Sequence, residues 1–170
     1  MTQPSVIFFG HDGSTHRPDT TDDKKVYLRT LLYATSKSGR MVENMFVRVY
    51  RAETSQTFSF WAYGERSSLA PGSGLFVPED GVTYNHHFVL PADGTTFHFL
   101  AGEYTVEVFA SLVARPGINT LKLFSTQLIV SQQHAEQLTK PNMGILFTWL
   151  PDVRRYHPVL LPRFPSQERW

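Results

Sequence analysis

The chain has no cysteine. That single absence excludes disulfides, thiol catalysis, iron–sulfur clusters and cysteine-bearing zinc sites. It also has no excess charge of one sign: 16 basic residues stand against 15 acidic ones, for a net charge of +1. Such a balance sets up no field that would draw the protein to nucleic acid or to an anionic lipid surface. No apolar run is long enough to cross a bilayer, so membrane insertion is not expected. Met1-Thr2-Gln3-Pro4 offers neither a basic n-region nor an apolar h-region. The sequence therefore reads as lacking a signal peptide, and points to the cytoplasm or to an assembly made there. No internal repeat with a period of roughly 20–50 residues is present either.

Catalytic motifs are missing in the same way. A nucleophile elbow needs G-x-S-x-G, which the chain does not contain. The most enzyme-like stretch is "VIFFGHDGST" at 6–15, where His11, Asp12 and Ser14 crowd into four positions. A hydrolytic triad needs those side chains to converge, and near neighbours on a chain diverge. A phosphate-binding turn needs a helix straight after its strand. Here "HRPDTTDDKK" follows, polar and broken by Pro18. In "PGSGLF" at 71–76, Val77 stands where a dinucleotide fingerprint needs its third glycine. Asp22-Asp23 beside Lys24-Lys25 reads as a solvated turn, and Glu79-Asp80 as part of a hairpin turn. No enzyme activity and no cofactor are expected.

What the chain does have is apolar bulk: 41% hydrophobic residues, including 13 Phe. That suffices for a real core without staples. Turn signals recur at Ser38-Gly39, Asp80-Gly81, Asp93-Gly94 and Pro116-Gly117, with Glu53–Gln56 as a further turn. Between them lie runs rich in Val, Phe, Tyr, Thr and Leu. These predict strands at about 26–35, 43–52, 57–63, 74–77, 83–90, 95–100, 103–113 and 120–131. Both faces of 26–35 carry apolar residues, so that strand is expected to be covered on both sides. In 103–113, Tyr104, Val106, Val108 and Ala110 face one way and Thr105, Glu107 and Ser111 the other, with Phe109 the exception. In 120–131 the apolar phase shifts between Leu121/Leu123 and Phe124/Leu128/Val130. A bulge near Ser125 would account for the shift. One helix is predicted, "SQQHAEQLTK" at 131–140, capped by Ser131 and ended by Pro141 and Gly144. A strand at 144–150 follows.

Many short strands separated by regular turns predict an all-β sandwich or barrel. The stretch Ala101-Gly102-Glu103-Tyr104 resembles the corner that opens the penultimate strand of immunoglobulin-like domains. In those domains a Tyr hydroxyl bonds back to the backbone just upstream, and a Trp lies in the core, for which Trp61 is the candidate. The resemblance covers about 25–131 and implies an immunoglobulin-like antiparallel β-sandwich. Antibody domains place a Cys two residues after the Tyr, and here that position is Val106. The expected organisation is an N-terminal strand and loop at 1–24, the sandwich at 25–131, and a helix, extra strand and extended Pro-rich C-terminal arm at 132–170.

That arm carries Pro151, Pro158, Pro162 and Pro165, which forbid a helix. Its aromatic and aliphatic residues are those of a segment that packs, either back on its own domain or around a neighbouring subunit or partner protein. The expected function is a non-catalytic structural or adaptor subunit. It would bind another protein, or itself, through the arm and a sheet edge, with Trp149, Tyr156, Leu160, Phe164 and Trp170 as anchors. One alternative is a carbohydrate-binding face built on Trp61 and Tyr63. Another is a metal site drawn from His11, Asp12, His16, His87 and His98. His86 and His87 are adjacent on a strand and are expected to point to opposite faces.

Overall fold

Alternation and turn chemistry divide the chain into twelve strands and one helix among the described residues. The computed structural model describes residues 1–11, 24–64, 70–72, 74–91, 93–140 and 143–162. In chain order the strands are β1 (Val6–His11), β2 (Lys24–Leu32), β3 (Arg40–Arg51), β4 (Thr54–Phe58), β5 (Phe60–Gly64), β6 (Ala70–Pro71), β7 (Leu75–Val77), β8 (Val82–Val89), β9 (Gly102–Ala114), β10 (Gly117–Val130), β11 (Gly144–Leu150) and β12 (Arg155–Leu161). The helix α1 (Gln132–Leu138) follows β10. Every pairing is antiparallel. One sheet has seven strands in the order β12-β11-β1-β2-β8-β5-β6; the other runs β10-β9-β3-β4, with β7 also paired to β3. The chain is thus all-β in two antiparallel sheets, compatible with a β-sandwich.

Register explains the core. Ile145, Phe9, Val26, Phe88 and Trp61 are in line across five strands and all lie in one buried cluster. From the smaller sheet, Met45, Val47, Val49, Tyr104, Val106 and Val108 enter the same cluster. The alternate residues of "VIFF" point the other way. Phe8 is in register with Tyr27 and Leu146, and with Val6 these form a second buried cluster on the outer face. So β1 and β2 are buried on both faces, which is why the run reads as continuously apolar. Gly10 and Gly144 leave room for the Phe8 ring, which a Cβ on either would strike. Lys24 and Lys25, expected in a solvated turn, instead open β2 and are buried.

The larger of the two buried clusters takes side chains from β1, from 25–131, and from α1 and β11 alike. The boundaries drawn from composition do not divide it. Each fully buried Phe or Ile of β1 and β11 contributes roughly 1.5–3 kcal/mol of burial.

Two predicted strands are corrected. The run 57–63 is two strands: β4 lies in the smaller sheet and β5 in the larger, with the switch at Ser59. Phe58 and Trp61, on opposite faces of a single strand, can therefore both be buried between the sheets, at 0% and 2% exposure. Residues 95–100 form no strand. They carry the chain from β8 in the larger sheet to β9 in the smaller. Their alternation is satisfied by insertion into the core: Phe99 stacks on Phe9 at 4.6 Å, and Phe97 meets Phe58 edge-on at 5.5 Å.

Other expectations hold. Ser131 caps α1, its Oγ accepting from the His134 N–H at 3.1 Å. The bulge lies between Lys122 and Phe124, two residues before Ser125. It brings Leu123 as well as Leu128 and Val130 to the core side. Phe109 breaks its strand's alternation because it stacks on Phe46 across the outer face of the smaller sheet, at 4.8 Å. The Tyr104 hydroxyl donates to the Leu100 carbonyl at 2.8 Å.

Candidate functional site

The expected anchors of the C-terminal arm are used inside the chain. Residues 155–161 form β12, which pairs with β11 along its whole length. Trp149 and Tyr156 are cross-strand partners, their rings meeting edge-on at 5.1 Å. The Tyr156 hydroxyl donates to the Pro4 carbonyl at 2.8 Å and accepts from Gln3 Nε2 at 2.9 Å. Burial raises its pKa well above the ordinary phenol value. Leu160 packs against the core. These contacts tie β12 to the N-terminal segment, so Trp149, Tyr156 and Leu160 are half-buried rather than projected outward. Phe164 and Trp170 lie outside the described residues.

Neither alternative site forms among the described residues: Trp61 and Tyr63 meet but Trp61 is buried, and the described histidines make no metal-binding group. Trp61 is turned into the core at 2% exposure, with Gly72 lying against its ring, so it offers no platform for a sugar. Its indole N–H donates to His86 Nδ1 at 3.2 Å. Tyr63 donates its hydroxyl to the Gly74 carbonyl at 2.7 Å and stacks on Trp61. Of the proposed metal ligands, His11 ends β1 with Lys24 Nζ 3.1 Å from its Nε2. His87 is buried against the Tyr27 ring on the outer face of the larger sheet, while its neighbour His86 faces the core. His98 is exposed in the crossing segment. Asp12 and His16 lie outside the described residues. No group of three metal-ligating side chains forms among the described residues.

Sheet edges remain, and they differ sharply. A free edge offers unpaired N–H and C=O groups to another strand, and proteins blunt it with short strands, charge or proline. In the larger sheet, β12 carries Arg155 and Pro158, and β6 has two residues. In the smaller sheet, β4 has five residues. The strand at the other edge, β10, has 14 residues, and no described strand pairs with its outer side. Its one charged residue, Lys122, is held by Glu107 of β9 at 2.8 Å. Beyond the bulge, Phe124–Val130 contains no charge, no proline and no glycine, the composition of a segment that takes up further strands. Ile118 and Ile129 lie open along this strand at 58% and 66% exposure.

The sequence carries part of this signal, in the low charge of 117–130. It does not say which strand ends a sheet. Set beside known proteins, the chain matches no family model, no curated protein and no solved structure.

Proposed function

We propose that this chain is a non-catalytic structural or adaptor subunit that binds another protein chain, or a second copy of itself, by strand addition along Phe124–Val130 of β10. The observation that carries the reading is an uncharged edge segment on a long strand, in a molecule whose other edges are short or hold proline. Strand addition supplies main-chain hydrogen bonds, and alternate side chains supply specificity. The reading rests on β10 rather than on the arm, because Trp149, Tyr156 and Leu160 are engaged within the chain. The domain is read as immunoglobulin-like, a reading supported by the Tyr104 corner and the buried Trp61. The seven-stranded sheet extends that plan with β1, β11 and β12.

The test is a native mass spectrum of the full chain beside that of a Gln127→Lys/Ile129→Lys variant. Both positions are exposed, so the fold should survive the change. Self-association gives a multiple of 19.4 kDa that collapses to the single-chain mass in the variant. If the wild type is a single chain, a photo-cross-linker at position 127 should capture one defined protein in the source cell. A single chain that captures none sinks the reading.

A further inference from the structure

Where β2 ends and β3 begins, a cleft of about 670 Å³ is lined by residues of both sheets. That volume lies within the range of small-molecule sites, roughly 300–1,000 Å³. Its floor is Leu32, Ala34, Val42 and Val77, each at most 5% exposed. Leu121 and Leu123 of β10 stand in the wall. They share that face because they are two apart on a strand, and the bulge between Lys122 and Phe124 lets Leu123 join the inward set of the next segment. A second irregularity, between Val42 and Asn44 of β3, sits beside the floor. Leu121 is 41% exposed, so this apolar surface is only partly covered by the chain itself.

Two arginines, Arg40 and Arg115, are among the residues that line the cleft, and both are exposed. No aspartate or glutamate lines it among the described residues. Neither arginine has an ion pair among the described residues. An apolar floor with cations at the solvent side and no competing carboxylate is complementary to a molecule with an apolar tail and an anionic head. Arginine suits a carboxylate head because its fork can donate two parallel hydrogen bonds.

We propose that this cleft binds a single-chain anionic amphiphile, its acyl tail on Leu112, Leu121 and Leu123 over the buried floor and its carboxylate at Arg40 and Arg115. The site is separate from the outer edge of β10 and does not depend on it. No bond is made or broken.

The probe is dodecanoate below its micelle threshold, titrated into the full chain by calorimetry. Dodecyltrimethylammonium serves as the comparison, with the same tail and the opposite charge. The expected result is one dodecanoate per chain and at least about tenfold weaker binding of the cation. Arg40→Ala/Arg115→Ala should weaken dodecanoate by about tenfold or more. Leu121→Asp should abolish binding, whereas Val153→Asp, an equally exposed change in the turn before β12, should leave it intact. Circular dichroism confirms the fold of each variant.

Five results would overturn the proposal. They are no dodecanoate binding up to roughly 1 mM, equal binding of the two amphiphiles, or no effect of the arginine pair. The fourth is uptake only in the Gln127→Lys/Ile129→Lys variant, which would mean that a second copy fills the cleft. Binding to anionic phospholipid vesicles without uptake of free dodecanoate would count against it as well.

Discussion

His86 is fully buried, with Nδ1 accepting from Trp61. Its Nε2 finds no partner among the described residues. The Trp61 bond places the proton on Nε2, so the ring sits neutral in the core. Burial lowers its pKa from 6.5 to about 4. His87 falls to about 3, by burial first, then by the charge of Lys25 and by His86. The sign follows from proton counting. Between about pH 6.5 and pH 4 the unfolded chain binds protons that the folded chain refuses, so stability is lost as pH falls through that window. His86 alone accounts for about 3 kcal/mol of that loss. Urea unfolding should show a lower midpoint at about pH 4.5 than at pH 7, and His86→Phe should make the dependence shallower, with His87 supplying the remainder. A midpoint that ignores pH, or a variant with the wild-type slope, refutes this account.

At the scale of elements, β1 and β11 approach closely because two glycines leave space for one ring. Gly10 pairs with Gly144, and a Cβ on Gly10 would lie 2.6 Å from the Phe8 ring. A Cβ on Gly144 would clash with the same ring, which is itself fixed between Tyr27 and Leu146. Gly144→Ala should therefore destabilise by roughly 1–3 kcal/mol, as overpacking does. An unchanged denaturant midpoint would show that Phe8 moves aside without cost. The contrast with β10 is instructive. The larger sheet seals its β1–β11 seam with a buried aromatic, while the smaller sheet ends on an open strand.

For the whole molecule, the decisive fact is that one core spans segments far apart in sequence. Ala135, Leu138, Ile145 and Phe147 share it with Tyr104 and Val106. Removing α1, β11 and β12 would strip the outer side of β1 and expose Ile7 and Phe9. A chain cut after Ser131 should lose its cooperative thermal transition, measured by near-ultraviolet circular dichroism. If that shorter chain melts cooperatively, 1–131 is self-sufficient and the shared core is not required.

Features that depend only on a residue's immediate neighbours along the chain are legible in the sequence. The Ser131 cap, the bulge in 120–131, the Tyr104 hydroxyl bond and the opposed faces of His86 and His87 are all set by spacing and local chemistry. The absence of cysteine likewise excluded disulfides and thiol chemistry. Only the tertiary structure decided what depends on a partner strand. A run such as 57–63 looks the same whether it stays in one sheet or changes sheets at Ser59. The alternation of 95–100 suits a paired strand as well as a crossing that drops Phe97 and Phe99 into the core. Of the prolines in 151–162, Pro151 opens the turn after β11 and Pro158 lies in an extended run, and only the pairing with β11 makes that run an edge strand. The open edge of β10 and the cleft behind Leu121 arise from sheet order. Periodicity along a chain fixes which residues share a face, but not what lies opposite them.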